Sequence, residues 1–318
     1  MASVNYVFKA VKYGAQKVNL TATVHLPKDT SSVKGIALYF HGGGYVVGSR
    51  AMLPAAHIDA LNEGGFVAVS SDYRLSPTIS VLDGPVADSV AAYEWAQDEL
   101  PVLLEREHDI RVNGKNIVTL GHSCGGGLAL LMASRAHPPK AILDLFGFKY
   151  LRDPFYHTGS RTILPPGTPP LPSAEFIERV FEETPPPTAA LPPFGPNGLD
   201  LCTPRQAYLI TSVGKGTQFD KIIAEDEYDY VDPEKLLKRP DFPPTFFVQG
   251  TADVVVDAKF AQWAHAELHK NGVQAKLYLV EGGTHGFDAR LNRDDAAFEP
   301  IQKGIDFLAY HVGVGVGK

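Results

Sequence analysis

Cysteine is scarce in this chain of 318 residues. Cys124 and Cys202 are the only two, too few for a disulfide framework, so a reducing, cytoplasmic setting is the expectation. No apolar run approaches the roughly 18 residues that a membrane-spanning helix needs. No Lys/Arg cluster appears, and the balance is acidic: 29 basic against 36 acidic residues, a net charge of −7. That argues against a nucleic-acid partner. The first residues, MASVNYVFKAVKYG, lack the basic stretch and apolar core of a secretory leader, and the final GVGVGK is no organelle address. No internal repeat is present at solenoid or propeller periods. Hydrophobic residues at 44% and charged residues at 20% are ordinary globular values, which excludes disorder of the whole chain.

Proline is where the composition becomes informative. Seventeen of the 25 prolines fall between Pro154 and Pro244, a density that opposes regular helices and central strands. The text there includes LPPGTPPLP (164–172) and TPPPTAALPPFGP (184–196). Residues 150–243 therefore read as an insertion, a lid over a scaffold formed by 1–149 and 244–318. That scaffold alternates strand and helix. Val4–Val11 and Asn19–Leu26 alternate as an antiparallel edge pair. Gly35–Phe40, Phe66–Ser70, Asn116–Leu120, Ala141–Phe146, Thr245–Gln249 and Ala275–Val280 read as strands. Helices are expected over Gly84–Glu107, Leu128–Ala136, the stretch from Val256 to Gly272, and the end of the chain from Phe298 to Val312. The expected fold class is α/β, with a mostly parallel sheet covered by helices on both faces.

Gly121-His122-Ser123-Cys124-Gly125 is G-x-S-x-G between an expected strand and an expected helix. A nucleophile on such a turn needs glycines beside it, because Cβ atoms would clash there. The helix N-terminus then aims N–H groups at a developing oxyanion. His41-Gly42-Gly43-Gly44 ends an earlier strand, and its N–H groups can face a substrate carbonyl. A serine hydroxyl also needs a base oriented by a carboxylate, in the chain order Ser, Asp or Glu, His. Asp253 in GTAD and His285 in EGGTHGF both follow strands directly, at the sheet end where open α/β sheets build their sites.

Each group has rivals in the sequence. Asp257 is the near competitor of Asp253. His122 is expected to point away from the attack geometry, and His41 to fix the glycine loop. His265 and His269 sit one turn apart on a helix without the glutamate placement of a zinc motif, so no metal site is expected. No nucleotide-binding glycine pattern follows a strand, and no cofactor is expected. Arg74 in DYRLSP reads as a structural arginine bonded to backbone or carboxylate. The acidic run Glu225–Asp232 reads as solvated surface.

HGGG, DYRLSP, GHSCGG, an Asp after the next-to-last strand and HGF together resemble the hormone-sensitive-lipase-like branch of the α/β-hydrolases, largely carboxylesterases and lipases. The resemblance covers about Gly35–Phe148 and Thr245–Leu308. It implies an α/β-hydrolase fold, with Ser123 as nucleophile, His285 as base, Asp253 as orienting acid, and the backbone N–H groups of Gly43, Gly44 and Cys124 as oxyanion hole. The chain departs from the family at three positions: His122 stands where Asp is usual, Cys124 where Ala is usual, and Thr78 where Glu follows SP. The N-terminal helical cap common in the family is also missing, so the cap role falls to the insertion.

Ser173–Glu183 reads as the one helix of that lid, with Ser173 as N-cap. Tyr45, Phe155, Tyr156, Phe176 and Phe181 are the expected substrate contacts, which points to a bulky apolar substrate. Three functions follow: hydrolysis of an ester, lactone or thioester through an acyl-enzyme on Ser123; cyclisation, dehydration or acyl transfer in natural-product biosynthesis; or non-enzymatic ligand reception on the same fold. A peptidase is a weaker variant of the first.

Overall fold

In the computed structural model, residues 2–31, 33–159, 170–195 and 198–313 are described. The chain opens with two long strands, β1 (Ser3–Tyr13) and β2 (Gln16–His25), paired antiparallel with burial that alternates residue by residue. Strands β3 (Gly35–Phe40), β4 (Phe66–Ser71), β5 (Ile117–His122), β6 (Ile142–Leu145), β7 (Thr245–Gly250) and β8 (Ala275–Val280) follow. They join in the order β1-β2-β4-β3-β5-β6-β7-β8; β2 meets β4 antiparallel, and every pairing from β4 onward is parallel.

The central strands are buried along their whole length. Their apolar runs are continuous because both faces are covered. The period of two still sorts the side chains. Ile36, Leu38 and Phe40 enter one core with Leu128 and Phe260, while Ala37 and Tyr39 enter the other with Ile301, Ile305 and Leu308. Each fully buried aliphatic or Phe side chain contributes roughly 1.5–3 kcal/mol. Helices α1 (Ala55–Glu63) and α9 (Glu299–His311) cover the second face. Helices α2 (Ala87–Asp98), α4 (Cys124–Leu131) and α8 (Ala258–Lys270) cover the first.

Two helix boundaries differ from expectation. The stretch expected as one helix from Gly84 to Glu107 is a π-turn at Leu82–Val86, then α2, then α3 (Leu100–His108). Pro101 explains the break: without an N–H it fits a first turn but cannot continue the preceding helix. Helix α4 ends at Leu131 and passes into a 3-10 turn over Met132–Ser134.

The described part of residues 150–243 is more helical than its prolines suggest. Ser173 caps α5 (Ala174–Glu178), which tightens into a 3-10 turn to Glu182. Helix α6 (Pro204–Lys215) has no counterpart in the sequence reading. Thr203 and Gln206 form a reciprocal capping box, and Pro204 occupies the first turn where its missing N–H is harmless. Helix α7 (Tyr228–Val231) falls within the acidic run. Asp232 in that run is buried rather than solvated: its carboxylate accepts from the N–H groups of Tyr150, Leu151 and Glu234. Most of LPPGTPPLP (164–172) lies outside the described residues. Among the described residues, no helix is long and apolar enough to cross a membrane.

Candidate active site

Ser123 joins the end of β5 to the start of α4 with φ 54° and ψ −126°. The turn is feasible only because its neighbours lack side chains. A Cβ on Gly121 would lie 2.1 Å from the Gly125 carbonyl oxygen, and one on Gly125 would lie 2.1 Å from the Phe40 carbonyl oxygen. Main-chain bonds hold the strained residue: Ser123 N–H donates to Leu145 O (2.9 Å), and Phe148 N–H donates to Ser123 O (3.1 Å).

Three side chains from three strand ends meet there. His285 Nε2 lies 3.0 Å from Ser123 Oγ, and His285 Nδ1 lies 2.8 Å from Asp253 Oδ2. Asp253 is fixed in turn. Its Oδ1 accepts from the N–H groups of Val255 (2.8 Å) and Val256 (2.9 Å), and its Oδ2 from Gln249 Nε2 (3.2 Å). The rival Asp257 is otherwise engaged: it caps α8 by accepting from Lys259 N–H. The His285 side chain keeps 23% of its surface exposed while that of Asp253 keeps none, so the imidazole faces the approach and the carboxylate lies behind it.

The glycine loop closes on the same point. A Cβ on Gly42 would lie 3.3 Å from Ser123 Cβ. Gly43 (φ 112°) has no room for a side chain, since a Cβ would lie 2.2 Å from Val47 O. His41 stacks on Tyr73 at 4.1 Å, and its Nδ1 lies 2.7 Å from Gly42 O. Burial lowers His41 to about 4, so the ring is neutral at pH 7 and donates from Nδ1 to that carbonyl. Cys124 opens α4, so its N–H has no partner within the helix. Its Sγ accepts from Tyr45 N–H at 3.2 Å and ties the glycine loop to the nucleophile turn. Burial pushes the thiol up to about 11, against opposing pulls from Tyr73 and nearby amides.

The expected substrate contacts divide. Phe176 and Phe181 are half-buried and pack with Val46, Val47 and Tyr208 beside the glycine loop. Tyr45 is wholly buried, edge-on to Phe148, so it is a core residue. Phe155 and Tyr156 are also corrected: they pack on Phe260 of α8, with ring centroids 5.6 and 5.0 Å away. An aromatic pair in an insertion can line a pocket or fasten the insertion to its scaffold, and here it fastens. Arg74 binds Asp88 through Nε (2.7 Å) and Nη2 (2.8 Å), away from the reacting groups.

Four features were missed. Leu209 of α6 overlies the glycine loop, its Cδ1 2.7 Å from where a Gly44 Cβ would stand. Arg205, one turn earlier, is buried and donates through Nη1 to the carbonyls of Val46 and Ser76 while pairing with Glu183. Both were hidden with α6 itself. Phe146 stands edge-on to His285 at 5.0 Å. The fourth is a buried cluster of His57, His122 and Asp288, whose ligand atoms lie within 4.8 Å of one another. Its composition suits a metal ion, and no close spacing of histidines in the sequence marks it. A tetrahedral zinc at about 2.0–2.1 Å from each ligand would hold those atoms roughly 3.3 Å apart. His122 Nε2 and Asp288 Oδ2 stand 2.6 Å apart, a direct hydrogen bond.

A family profile described as alpha/beta hydrolase fold matches residues 37–156. The fold is that of the α/β-hydrolases. Among solved structures it is similar to a Staphylococcus aureus protein of unknown function (TM-score 0.69, 22% identity, 97% of this chain and 99% of that one). It is also similar to Thermogutta terrifontis esterase 2 phosphorylated by paraoxon (TM-score 0.62, 20% identity, 99% and 96%). Among curated proteins it is 30% identical over 341 residues to the non-reducing polyketide synthase adrD of Penicillium rubens, covering 96% of this chain. It is 30% identical over 335 residues to the non-reducing polyketide synthase ausA of Emericella nidulans, covering 93%. The matched region is 14% of the length of each synthase.

Proposed function

We propose that this protein is a serine hydrolase that takes the acyl group of a bulky apolar ester or thioester onto Ser123 and passes it to water. The observation that carries this reading is the unbroken chain from Ser123 Oγ through His285 to Asp253, with links of 3.0 and 2.8 Å. Ser123 Oγ attacks the acyl carbonyl as His285 Nε2 takes its proton. The amides of Gly43, Gly44 and Cys124 receive the oxyanion, a contribution of about 3–4 kcal/mol per donor in such sites. His285 then returns the proton to the departing alkoxide or thiolate. Water enters, His285 takes its proton, and the acid leaves as Ser123 is reprotonated. Asp253 keeps the imidazole in the required tautomer and stabilises it when charged. Among the leaving groups, the likeness to one segment of polyketide synthases favours a thiol, and a role in secondary metabolism.

The same likeness favours one second reading, in which the acyl group on Ser123 passes to a hydroxyl of the substrate and forms a lactone. Both are tested by p-nitrophenyl esters of increasing acyl length and acyl-N-acetylcysteamine thioesters, with Ser123→Ala as control. Turnover lost in the variant supports the shared acyl-enzyme, and free acid against lactone separates the two. Full turnover by Ser123→Ala overturns both.

A further inference from the structure

His285 sits in a loop held by turns rather than regular structure. Phe287 N–H donates to Thr284 O, Ala289 N–H to Gly286 O, and Leu291 N–H to Asp288 O. Such a loop places its imidazole only as well as its ends are fixed. The leading end is fixed to the turn carrying Asp253: Ala252 N–H donates to Gly283 O (3.0 Å), and Gly282 N–H donates to Thr251 Oγ1 (2.9 Å). The trailing end is fixed to the nucleophile turn instead. Asp288, three residues after His285, is buried and bonded at 2.6 Å to His122, the residue before Ser123.

His122 is held on its other side by the Tyr39 hydroxyl, 2.9 Å from Nδ1. His57 of α1 stacks on the His122 ring at 5.2 Å, and its Nε2 lies 3.2 Å from the same carboxylate oxygen. The groups facing Asp288 are thus His122 from β5 and His57 from α1, with Tyr39 of β3 behind His122 and Arg293 acting on His57. Burial alone would raise the Asp288 carboxyl; the two imidazoles instead hold it at about 2, ionised across the working range.

We propose that Asp288 is a positioning residue: through His122 it locks the base-bearing loop to the nucleophile turn and so sets the Ser123–His285 distance. The proposal rests on the serine-nucleophile reading above. It also accounts for a histidine before the nucleophile, because the imidazole spans from the strand end to a carboxylate on the base's own loop.

The test uses Asp288→Asn and His122→Gln, with the unaltered protein alongside, at a temperature well below every melting point. Two quantities are read: the rate at which a fluorophosphonate labels Ser123, and kcat and KM on a p-nitrophenyl ester. A misplaced base slows attack without changing ester binding. Labelling and kcat should therefore fall about 10- to 100-fold with KM within about threefold. A merely structural role would lower the melting temperature and leave the labelling rate of folded protein unchanged. A loss below about fivefold in the folded variants overturns the proposal. If one variant fails to fold, the other decides. If the unaltered protein does not label at Ser123, it is the nucleophile reading that falls.

Discussion

Acidification from pH 7 to pH 5 should destabilise this fold through two buried histidines. Burial lowers His57 to about 3 and His41 to about 4, against 6.5 for an ordinary histidine. Both are neutral in the folded protein, and both gain a proton when it unfolds at pH 5. A base depressed by folding contributes its full stability above the unfolded value. That stability is lost as pH falls from about 6.5 toward the folded value. At pH 5 each histidine has given up about 2 kcal/mol, so the pair gives up about 4 kcal/mol. For a chain of this length that corresponds to a fall of about 6 °C in melting temperature. Thermal unfolding at both pH values measures it, with His57→Phe as comparison, since that ring already packs on Phe298. The variant should lose about half of the pH dependence. A melting temperature that is flat between pH 7 and pH 5 would refute the reasoning. Asp288 works in a separate window. Its carboxyl is depressed to about 2, so its contribution is intact above about 4 and lost only as pH falls through 2.

The glycine loop and the cysteine beside it give two further outcomes. Gly44→Ala puts a side chain at φ 60°, within 2.7 Å of Leu209 Cδ1. It should cost about 1–3 kcal/mol of stability and up to about 100-fold in kcat, and Leu209→Ala in the same chain should restore part of both. Full activity in Gly44→Ala would remove this loop from the oxyanion site. Cys124→Ala keeps the backbone N–H and should retain kcat within about tenfold, with lowered stability because Tyr45 N–H loses its acceptor. Iodoacetamide should modify exposed Cys202 and spare Cys124, which is buried with its thiol pushed up to about 11; mass spectrometry locates the adduct.

Much of this architecture is legible in the sequence because the relevant signals are local. A parallel strand is a short apolar or alternating run, and the candidate catalytic side chains follow three of them within a few residues: Ser123 after buried β5, Asp253 after buried β7, His285 after the half-exposed edge strand β8. The Asp288 cluster is illegible for the opposite reason. His57, His122 and Asp288 are distant in the chain and none sits in a recognisable spacing, so only the folded sheet brings them together. Helix α6 is obscured by composition: Pro204 belongs to a proline-rich stretch yet occupies the one part of a helix that tolerates it. Asp232 reads as surface because its neighbours are acidic, but three backbone N–H groups justify its burial. Phe155 and Tyr156 show the limit of composition, since aromatic content alone does not distinguish a pocket wall from a fastening.

The way the insertion is fastened bears on how substrate reaches Ser123. Gly48 and Ala190 exchange two main-chain hydrogen bonds (2.8 and 3.0 Å), and Leu75 N–H donates to Pro187 O (2.8 Å). Arg205 adds its two bonds to the carbonyls of Val46 and Ser76. These contacts join the insertion to the glycine loop and to the DYRLSP segment. Neutral hydrogen bonds contribute about 1 kcal/mol each and those from a charged donor about 1.5–3, so the group sums to about 6–9 kcal/mol. Breaking these contacts of Pro187, Ala190 and Arg205 together would therefore populate an open state below about one molecule in 10,000. At this contact the insertion is a fixed wall, with Leu209 set against Gly44 by the same helix that carries Arg205. On the proposed acyl-enzyme reading, selectivity between acyl groups is imposed by a preformed surface that leans on the glycine loop. A change in Leu209 should alter acyl-chain preference, whereas a change in Arg205 should loosen the loop for every substrate alike.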